Sequence, residues 1–284
     1  MAGRAVGRSA VRRVNQRRGW ALLVTAGTLC SVSGCFYAEP EAYVRSFAWE
    51  SDGTSWTWEF RIPTDLYALY RRQAHRPWCS DESCDWYRYV TDPNDDAYVE
   101  ALAAELARVM GERYTAGQLY HQTLQFTLDF VTAAIPYTKD QPAEWPKYPI
   151  ETLVEGHGDC EDTAILYTSL VRPLGYGVHL ILLAQHAAAA VEVHPSFIEN
   201  APYEVGYYTY AGKYYVFCET TGDPQTSGYI PVGYLPPAVH DEFLSGQWFF
   251  YDLRLRAASH ATAELSTPTA NRTDPDWLRW TELP

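Results

Sequence analysis

The first part of the chain alternates apolar and polar residues, a pattern that is typical of β-strands. The alternation runs over residues 43–62 and is interrupted at Asp52-Gly53, a dipeptide that favours a tight hairpin turn. We therefore predict two paired strands, the second of which ends at Pro63. Residues 64–74 then show helical periodicity, and Thr64 is the predicted N-cap of that helix.

The next segments predict a loop and two long helices. Residues 75–94 have no periodicity and are predicted to be irregular. Apolar residues then recur at three- and four-residue intervals over 95–114 and again over 116–134, which predicts two amphipathic helices. Pro136 lies just beyond the second helix, where proline cannot continue the hydrogen-bond ladder.

A cysteine stands at the start of the following predicted helix. Cys160 comes after a glycine-rich turn and begins an apolar-periodic run that leads to a predicted left-handed cap at Gly175. Free backbone N–H groups and the positive end of the helix dipole favour a thiolate at that position. The thiolate is the reactive form, so Cys160 is a candidate nucleophile. The alternative is a small buried cysteine without chemistry.

Beyond Gly177 the period becomes that of strands. The first of these is apolar on both faces apart from His179, which predicts a strand covered on both sides. Residues 222–240 are rich in Gly and Pro and predict turns. The fold class is therefore α+β, with a helical layer packed on an antiparallel sheet. The predicted strands are 178–183, 186–193, 207–210 and 213–219.

Charge is distributed unevenly, which restricts the partners. The formal net charge is −13, yet residues 1–35 contain six arginines and no acidic residue. The rest of the chain carries 16 basic against 35 acidic side chains, and only three of the basic ones are lysines. An acidic surface of this kind argues against nucleic acid as a partner, because phosphate binding needs clustered Lys and Arg.

The first 35 residues have the organisation of an export signal. A basic region over 1–18 precedes an apolar stretch over 19–29, which is too short to span a bilayer. Arg17-Arg18 resembles a twin-arginine signal, and the small residues before Cys35 resemble a lipoprotein cleavage site. We expect an exported lipoprotein whose lipid on Cys35 anchors it to the membrane. The alternative is an uncleaved N-terminal anchor.

Two further cysteines, Cys79 and Cys84, lie in the predicted loop. In an exported protein this pair is a candidate disulfide, with two free thiols as the alternative. A zinc site would need two more ligands at suitable spacing, which the neighbouring sequence does not offer.

Three residues, in order along the predicted elements, have the side chains that thiol catalysis needs. Cys160 would attack a carbonyl carbon, His186 at a strand start would share the proton, and Glu219 at a strand end would orient the imidazole. Asp223 is the alternative acid. The histidines that compete for the role of base are His157, His179 and His194.

These segments resemble the transglutaminase-like superfamily, whose catalytic core is papain-like. The matching blocks are Gly158-Asp159-Cys160-Glu161-Asp162, His186-Ala187 and Glu219-Thr220-Thr221. The likeness covers about residues 95–236 and is greatest to exported prokaryotic, largely archaeal, members. Many members have Asp in place of Glu219, and many have a Trp in the strand after the histidine, where this chain has Ala187 to Ala190.

The resemblance implies a cysteine protease- or amidase-like hydrolase that acts on peptide or protein amide bonds, with hydrolysis favoured over cross-linking. We expect neither a cofactor nor a metal, since a cation site made of His157, Asp159 and Asp162 has unsuitable spacing. Glu161 and Asp162 are expected to be cap and surface groups of the helix. The alternative function is a catalytically inactive binding or scaffold lipoprotein at the cell surface.

The expected division of the chain follows from these assignments. A signal segment over 1–35 precedes a β-rich lead-in over 36–94 and a catalytic domain over 95–240. Residues 241–284 would be a partly disordered C-terminal extension, with an aromatic cluster over 248–251. A cell-surface structural protein would present that cluster as an exposed patch.

Overall fold

A computed structural model describes most of the chain beyond the predicted signal segment. The described residues are 41–75, 85–140, 145–222, 229–246, 248–253 and 278–282. Cys35, the pair Cys79 and Cys84, and Asp223 lie outside these ranges, so the predictions on them stay predictions. Within the described ranges, no helix is both long and apolar enough to cross a membrane.

Helices and antiparallel strands are both present, as an α+β fold requires. The helices are α1 (Thr64–Arg71), α2 (Tyr87–Thr91), α3 (Asp96–Arg113), α4 (Ala116–Ala134), α5 (Pro149–Glu155), α6 (Cys160–Val171), α7 (Pro195–Asn200) and α8 (Pro237–Ser245). A 3₁₀ turn, Arg172–Leu174, extends α6. The strands are β1 (Ala42–Ser51), β2 (Thr54–Pro63), β3 (Val178–Leu182), β4 (Ala187–Val193), β5 (Tyr207–Tyr210), β6 (Lys213–Cys218), β7 (Phe249–Asp252) and β8 (Leu278–Glu282).

The strands form two antiparallel sheets. A three-stranded sheet has the order β1-β2-β8, and a five-stranded sheet has the order β5-β6-β4-β3-β7. The predicted hairpin turn between β1 and β2 is confirmed: Asp52 and Gly53 both have positive φ, at 48° and 68°. That conformation matches the twist of the paired strands, and Asp and Gly adopt it readily.

Both faces of the five-stranded sheet are covered, as the apolar sequence of β3 predicts. One face packs against α6 through alternate residues of the central strands, among them Leu180, Ala187 and Ala189. The opposite face packs against α8, where Phe217 lies against Phe243. The sheet therefore has α6 on one face and α8 on the other.

Four short helices were not expected from the sequence. α5, α7 and α8 each begin with a proline at the first helical position. Proline is favoured there because its fixed φ suits a helix and that position needs no N–H donor. The prediction of turns over 222–240 is therefore wrong for the start of α8. The fourth, α2, lies in the predicted loop. The predicted cap was also wrong by one residue: Pro63 is the N-cap of α1 and Thr64 is its first residue.

Candidate active site

The start of α6 fixes the position of Cys160, which is the first residue of the helix, as predicted. Asp159 is the N-cap, and a capping box links its side chain and that of Asp162 to each other's backbone. Gly158 is needed before the cap, because a Cβ there would lie 2.6 Å from the Cβ of Asp162. The thiol is thus held at a helix N-terminus, whose partial positive charge favours anions.

Strand pairing brings His186 and Glu219 together. Ala189 in β4 pairs with Cys218 in β6. Continuing this register by one residue places Glu219 opposite Ala188, diagonal to His186 on the same face. The two side chains meet, with His186 Nε2 3.0 Å from Glu219 Oε2.

Glu219 is held by its neighbours as a carboxylate. Its Oε1 accepts hydrogen bonds from the Thr221 backbone N–H at 2.8 Å and from the Thr221 hydroxyl. Burial raises the pKa of Glu219, but the bonds from His186 and Thr221 outweigh burial and leave that pKa below its usual value. An ionised Glu219 only accepts hydrogen bonds, so Nε2 of His186 donates and Nδ1 is the nitrogen left for another group.

The thiol of Cys160 lies beside the backbone of the strand that follows His186. The Ala187 N–H interacts with the sulfur and favours its charged form. Burial and the Glu161 carboxylate act in the opposite direction and raise the pKa of Cys160 above its usual value. Among the described residues, the hydrogen-bond partner of Sγ is Glu161 Oε2 at 3.2 Å, and no hydrogen bond joins the sulfur to His186.

Glu161 and Asp162 are not surface groups, which corrects the expectation from the sequence. Both are fully buried, and Lys147 compensates Asp162 with an Nζ–Oδ2 distance of 2.6 Å. Burial still raises the pKa of Asp162 to about 7, although Lys147 opposes that shift. A lone lysine between Trp145 and Tyr148 gave no sequence signal for this role, since lysines are rarely buried.

A cavity opens at the His186–Glu219 pair, on the side of the sheet that α8 covers. It has a volume of about 960 Å³ and contains both side chains in its wall. Tyr229, Tyr234 and Glu242 are also among the residues that line it. A space of this size and mixed lining is typical of a ligand-binding cleft, and Cys160 does not line it.

Two of the three competing histidines have other contacts, whereas Nδ1 of the third, His157, is buried without a hydrogen-bond partner among the described residues. His179 is buried and stacks between Tyr215 and Phe250, at centroid distances of 3.9 and 4.7 Å, which fits the prediction of a core residue. His194 is the N-cap of α7, where its Nδ1 accepts the Ser196 N–H. Cys218 is fully buried, as a packing residue should be.

Comparisons with known proteins add little to this geometry. No family model matches the chain, and no curated protein matches it. Among solved structures, a putative cysteine protease from Cytophaga hutchinsonii aligns with 74% of this chain and 71% of its own, at 12% identity. The TM-score of that alignment is 0.30, which is too low to support a conclusion about fold or activity.

Proposed function

We propose that the chain is a cysteine hydrolase of the transglutaminase-like superfamily, with Cys160 as nucleophile, His186 as base and Glu219 as the orienting acid. The observation that carries this proposal is the 3.0 Å pair of His186 and Glu219 at the strand end whose next N–H, from Ala187, interacts with Cys160 Sγ. Cys160 and Glu219 are 59 positions apart in the sequence, and the contact of Sγ with the Ala187 N–H supports assigning them to one site.

The chemistry follows from the free nitrogen of His186. The thiol of Cys160 breaks its hydrogen bond to Glu161 and transfers its proton to Nδ1 of His186. The thiolate then attacks the carbonyl carbon of an amide. The N–H of Cys160, which the first turn of α6 does not use, would donate to the developing oxyanion. Imidazolium returns the proton to the amine as the C–N bond breaks, which leaves a thioester on Cys160. Water, deprotonated by His186, then attacks the thioester carbon; the C–S bond breaks, the acid leaves, and the imidazolium returns the proton to the Cys160 sulfur.

We also propose that this hydrolase acts outside the cytoplasm on peptide or protein substrates, attached to the membrane by a lipid on Cys35. Support comes from the basic and apolar segments before Cys35 and from the acidic composition that follows them. The test is incorporation of labelled fatty acid into the expressed protein, which Cys35→Ser should abolish.

The experiment for the enzyme combines site-resolved alkylation with an amidase assay. Iodoacetamide should modify Cys160, identified by peptide mass spectrometry, and modification should abolish hydrolysis of a peptide-amide library. Cys160→Ser should remove both signals while unfolding at the wild-type temperature. Cys218→Ser is the matched control, because that thiol is fully buried and should not react in the native protein. Hydrolysis that persists in Cys160→Ser would refute the assignment.

An inactive binding protein is the second candidate. It is favoured by the contact of Sγ with Glu161 and by the raised pKa of Cys160, both of which stabilise the neutral thiol. This alternative predicts no enhanced alkylation of Cys160 relative to a denatured sample and no hydrolysis with any member of the peptide library.

A further inference from the structure

A group of three carboxylates lies next to Cys160. Asp159 and Glu161 flank the cysteine in sequence, and Asp140 comes from the segment that precedes α5. One oxygen of each residue lies within 4.8 Å of an oxygen of the other two. Asp159 and Glu161 are 2% and 0% exposed, so water does not solvate these charges.

Two oxygens in this group have no donor. Asp159 Oδ1 and Glu161 Oε1 are buried and accept no hydrogen bond. The other oxygen of each carboxylate is occupied: Asp159 Oδ2 accepts the Asp140 N–H at 3.3 Å, and Glu161 Oε2 accepts from Cys160. The two carboxylates lie close together, with one oxygen of each within 4.8 Å of the other. Buried carboxylate oxygens without a donor are costly, so a positive charge or a proton is needed between them.

The neighbouring lysine does not supply that charge to the unpartnered oxygens. Lys147 Nζ lies 2.6 Å from Asp162 Oδ2 and 3.6 Å from Asp140 Oδ1, and its third acidic neighbour is Glu155 at 3.9 Å. It therefore reaches the edge of the group through Asp140. Asp159 Oδ1 and Glu161 Oε1 remain without a partner.

We propose that Asp140, Asp159 and Glu161 bind one divalent cation, with Ca²⁺ as the preferred ion. All three ligands are carboxylate oxygens, which hard cations prefer. One oxygen of each residue lies within 4.8 Å of the others, near enough for the three to contact one ion. Ca²⁺ accepts irregular coordination by carboxylate oxygens, whereas Mg²⁺ requires near-ideal octahedral geometry and retains several waters. This site differs from the cation site considered from the sequence, because Asp140 replaces His157 and Lys147 occupies Asp162.

The proposal does not depend on hydrolase activity, so its test uses binding and stability. The full chain is treated with EDTA, dialysed and titrated with CaCl₂, MgCl₂ or TbCl₃. We expect Ca²⁺ to raise the unfolding temperature by several degrees and Mg²⁺ to raise it less. Tb³⁺ should luminesce on excitation of tryptophan, because the Trp145 backbone N–H donates to Asp140 Oδ2 at 2.6 Å. Excess Ca²⁺ should quench that luminescence.

Three variants locate the ion. Asp159→Asn and Glu161→Gln should each weaken Ca²⁺ binding at least tenfold, and asparagine can replace aspartate as the N-cap of α6. Glu155→Gln is the matched control, since Glu155 lies near Lys147 outside the group, and should bind as the wild type does. Equal binding by all variants would place the ion elsewhere and overturn the proposal. The proposal would also be overturned if no ion changed the unfolding temperature of the wild type and Glu161→Gln were more stable than the wild type in EDTA. That result would show that a proton shared by Asp159 and Glu161 takes the place of the ion.

Discussion

His186 Nε2 lies 3.0 Å from Glu219 Oε2, and the other oxygen of that carboxylate is held by Thr221. Each oxygen of the carboxylate thus has its own donor. The hydrogen bond to Glu219 holds the imidazole of His186 at the end of β6. The other ring nitrogen, Nδ1, takes no part in this pair.

Glu219→Gln should lower kcat/KM by about 10²-fold in a peptide-amide assay, because an uncharged amide no longer stabilises the imidazolium or selects the tautomer with a hydrogen on Nε2. Thr221→Val is the matched control. It removes one hydroxyl donor but keeps the charge and the Thr221 N–H bond, so its kcat/KM should fall less. A Glu219→Gln enzyme as active as the wild type would exclude Glu219 from the site.

The stability of the protein should depend on pH through the same residue. The pKa of Glu219 is lower in the folded chain than in the unfolded chain, so its stabilisation is present above the unfolded value and is lost as pH falls through the folded value. The free energy of unfolding of Glu219→Gln at pH 7 should therefore be about 2 kcal/mol lower than that of the wild type. Urea titrations should show this difference shrinking below about pH 4. A constant difference from pH 7 to pH 3 would contradict the assigned cause.

Lys147→Met should destabilise the fold by about 3–5 kcal/mol at pH 8, since removing one partner of a buried ion pair leaves the other charge uncompensated. The remaining partner, Asp162, has a pKa raised to about 7 by burial even with the lysine present. A raised carboxyl pKa favours folding at low pH and loses that effect as pH rises toward the folded value. The cost of Lys147→Met should accordingly be smaller at pH 5.5 than at pH 8, as measured by urea unfolding at both.

Gly222 provides a test of how the segment after Glu219 is packed. A Cβ at this position would lie 2.3 Å from the backbone oxygen of Thr132 in α4, which cannot move as a side chain could. Gly222→Ala should therefore destabilise the protein by about 1–3 kcal/mol and shift the Glu219 loop, with a fall in activity.

Gly117 gives the opposite expectation within the same chain. It lies in α4, and a Cβ there would meet nothing within 4 Å. Gly117→Ala should stabilise the protein by about 0.5–1 kcal/mol without affecting activity. If Gly222→Ala and Gly117→Ala changed the unfolding temperature similarly, contact with Thr132 would not be what destabilises Gly222→Ala.

The larger elements were predictable because periodicity reflects burial directly. The hairpin at Asp52-Gly53, helices α3, α4 and α6, and the two-sided strand β3 all lie where the apolar pattern placed them. The position of Cys160 at the start of α6 followed from the glycines before it and the apolar run after it. Local signals sufficed wherever one segment determined its own conformation.

The surroundings of the thiol could not be predicted in this way. Lys147 and Asp162 are 15 positions apart, and Asp140 joins Asp159 and Glu161 only after the intervening chain folds back against α6. Carboxylates in the first turn of a helix are usually exposed, so local rules placed Glu161 and Asp162 at the surface. Their burial results from tertiary packing. The predictions for Cys35, Cys79 and Cys84 concern residues outside the described ranges.

The two faces of the central sheet have different surroundings. Ala187 and Ala189 face α6, and their methyl groups set how near that helix can approach, whereas the cavity wall is made largely by α8 and the segment before it. Substitutions at Tyr229, Tyr234 or Val239 would therefore change the cavity while the opposite face of the sheet stays unchanged. Deep mutational scanning should find that Tyr229 and Tyr234 tolerate substitution, whereas Ala187 and Ala189 do not tolerate larger residues.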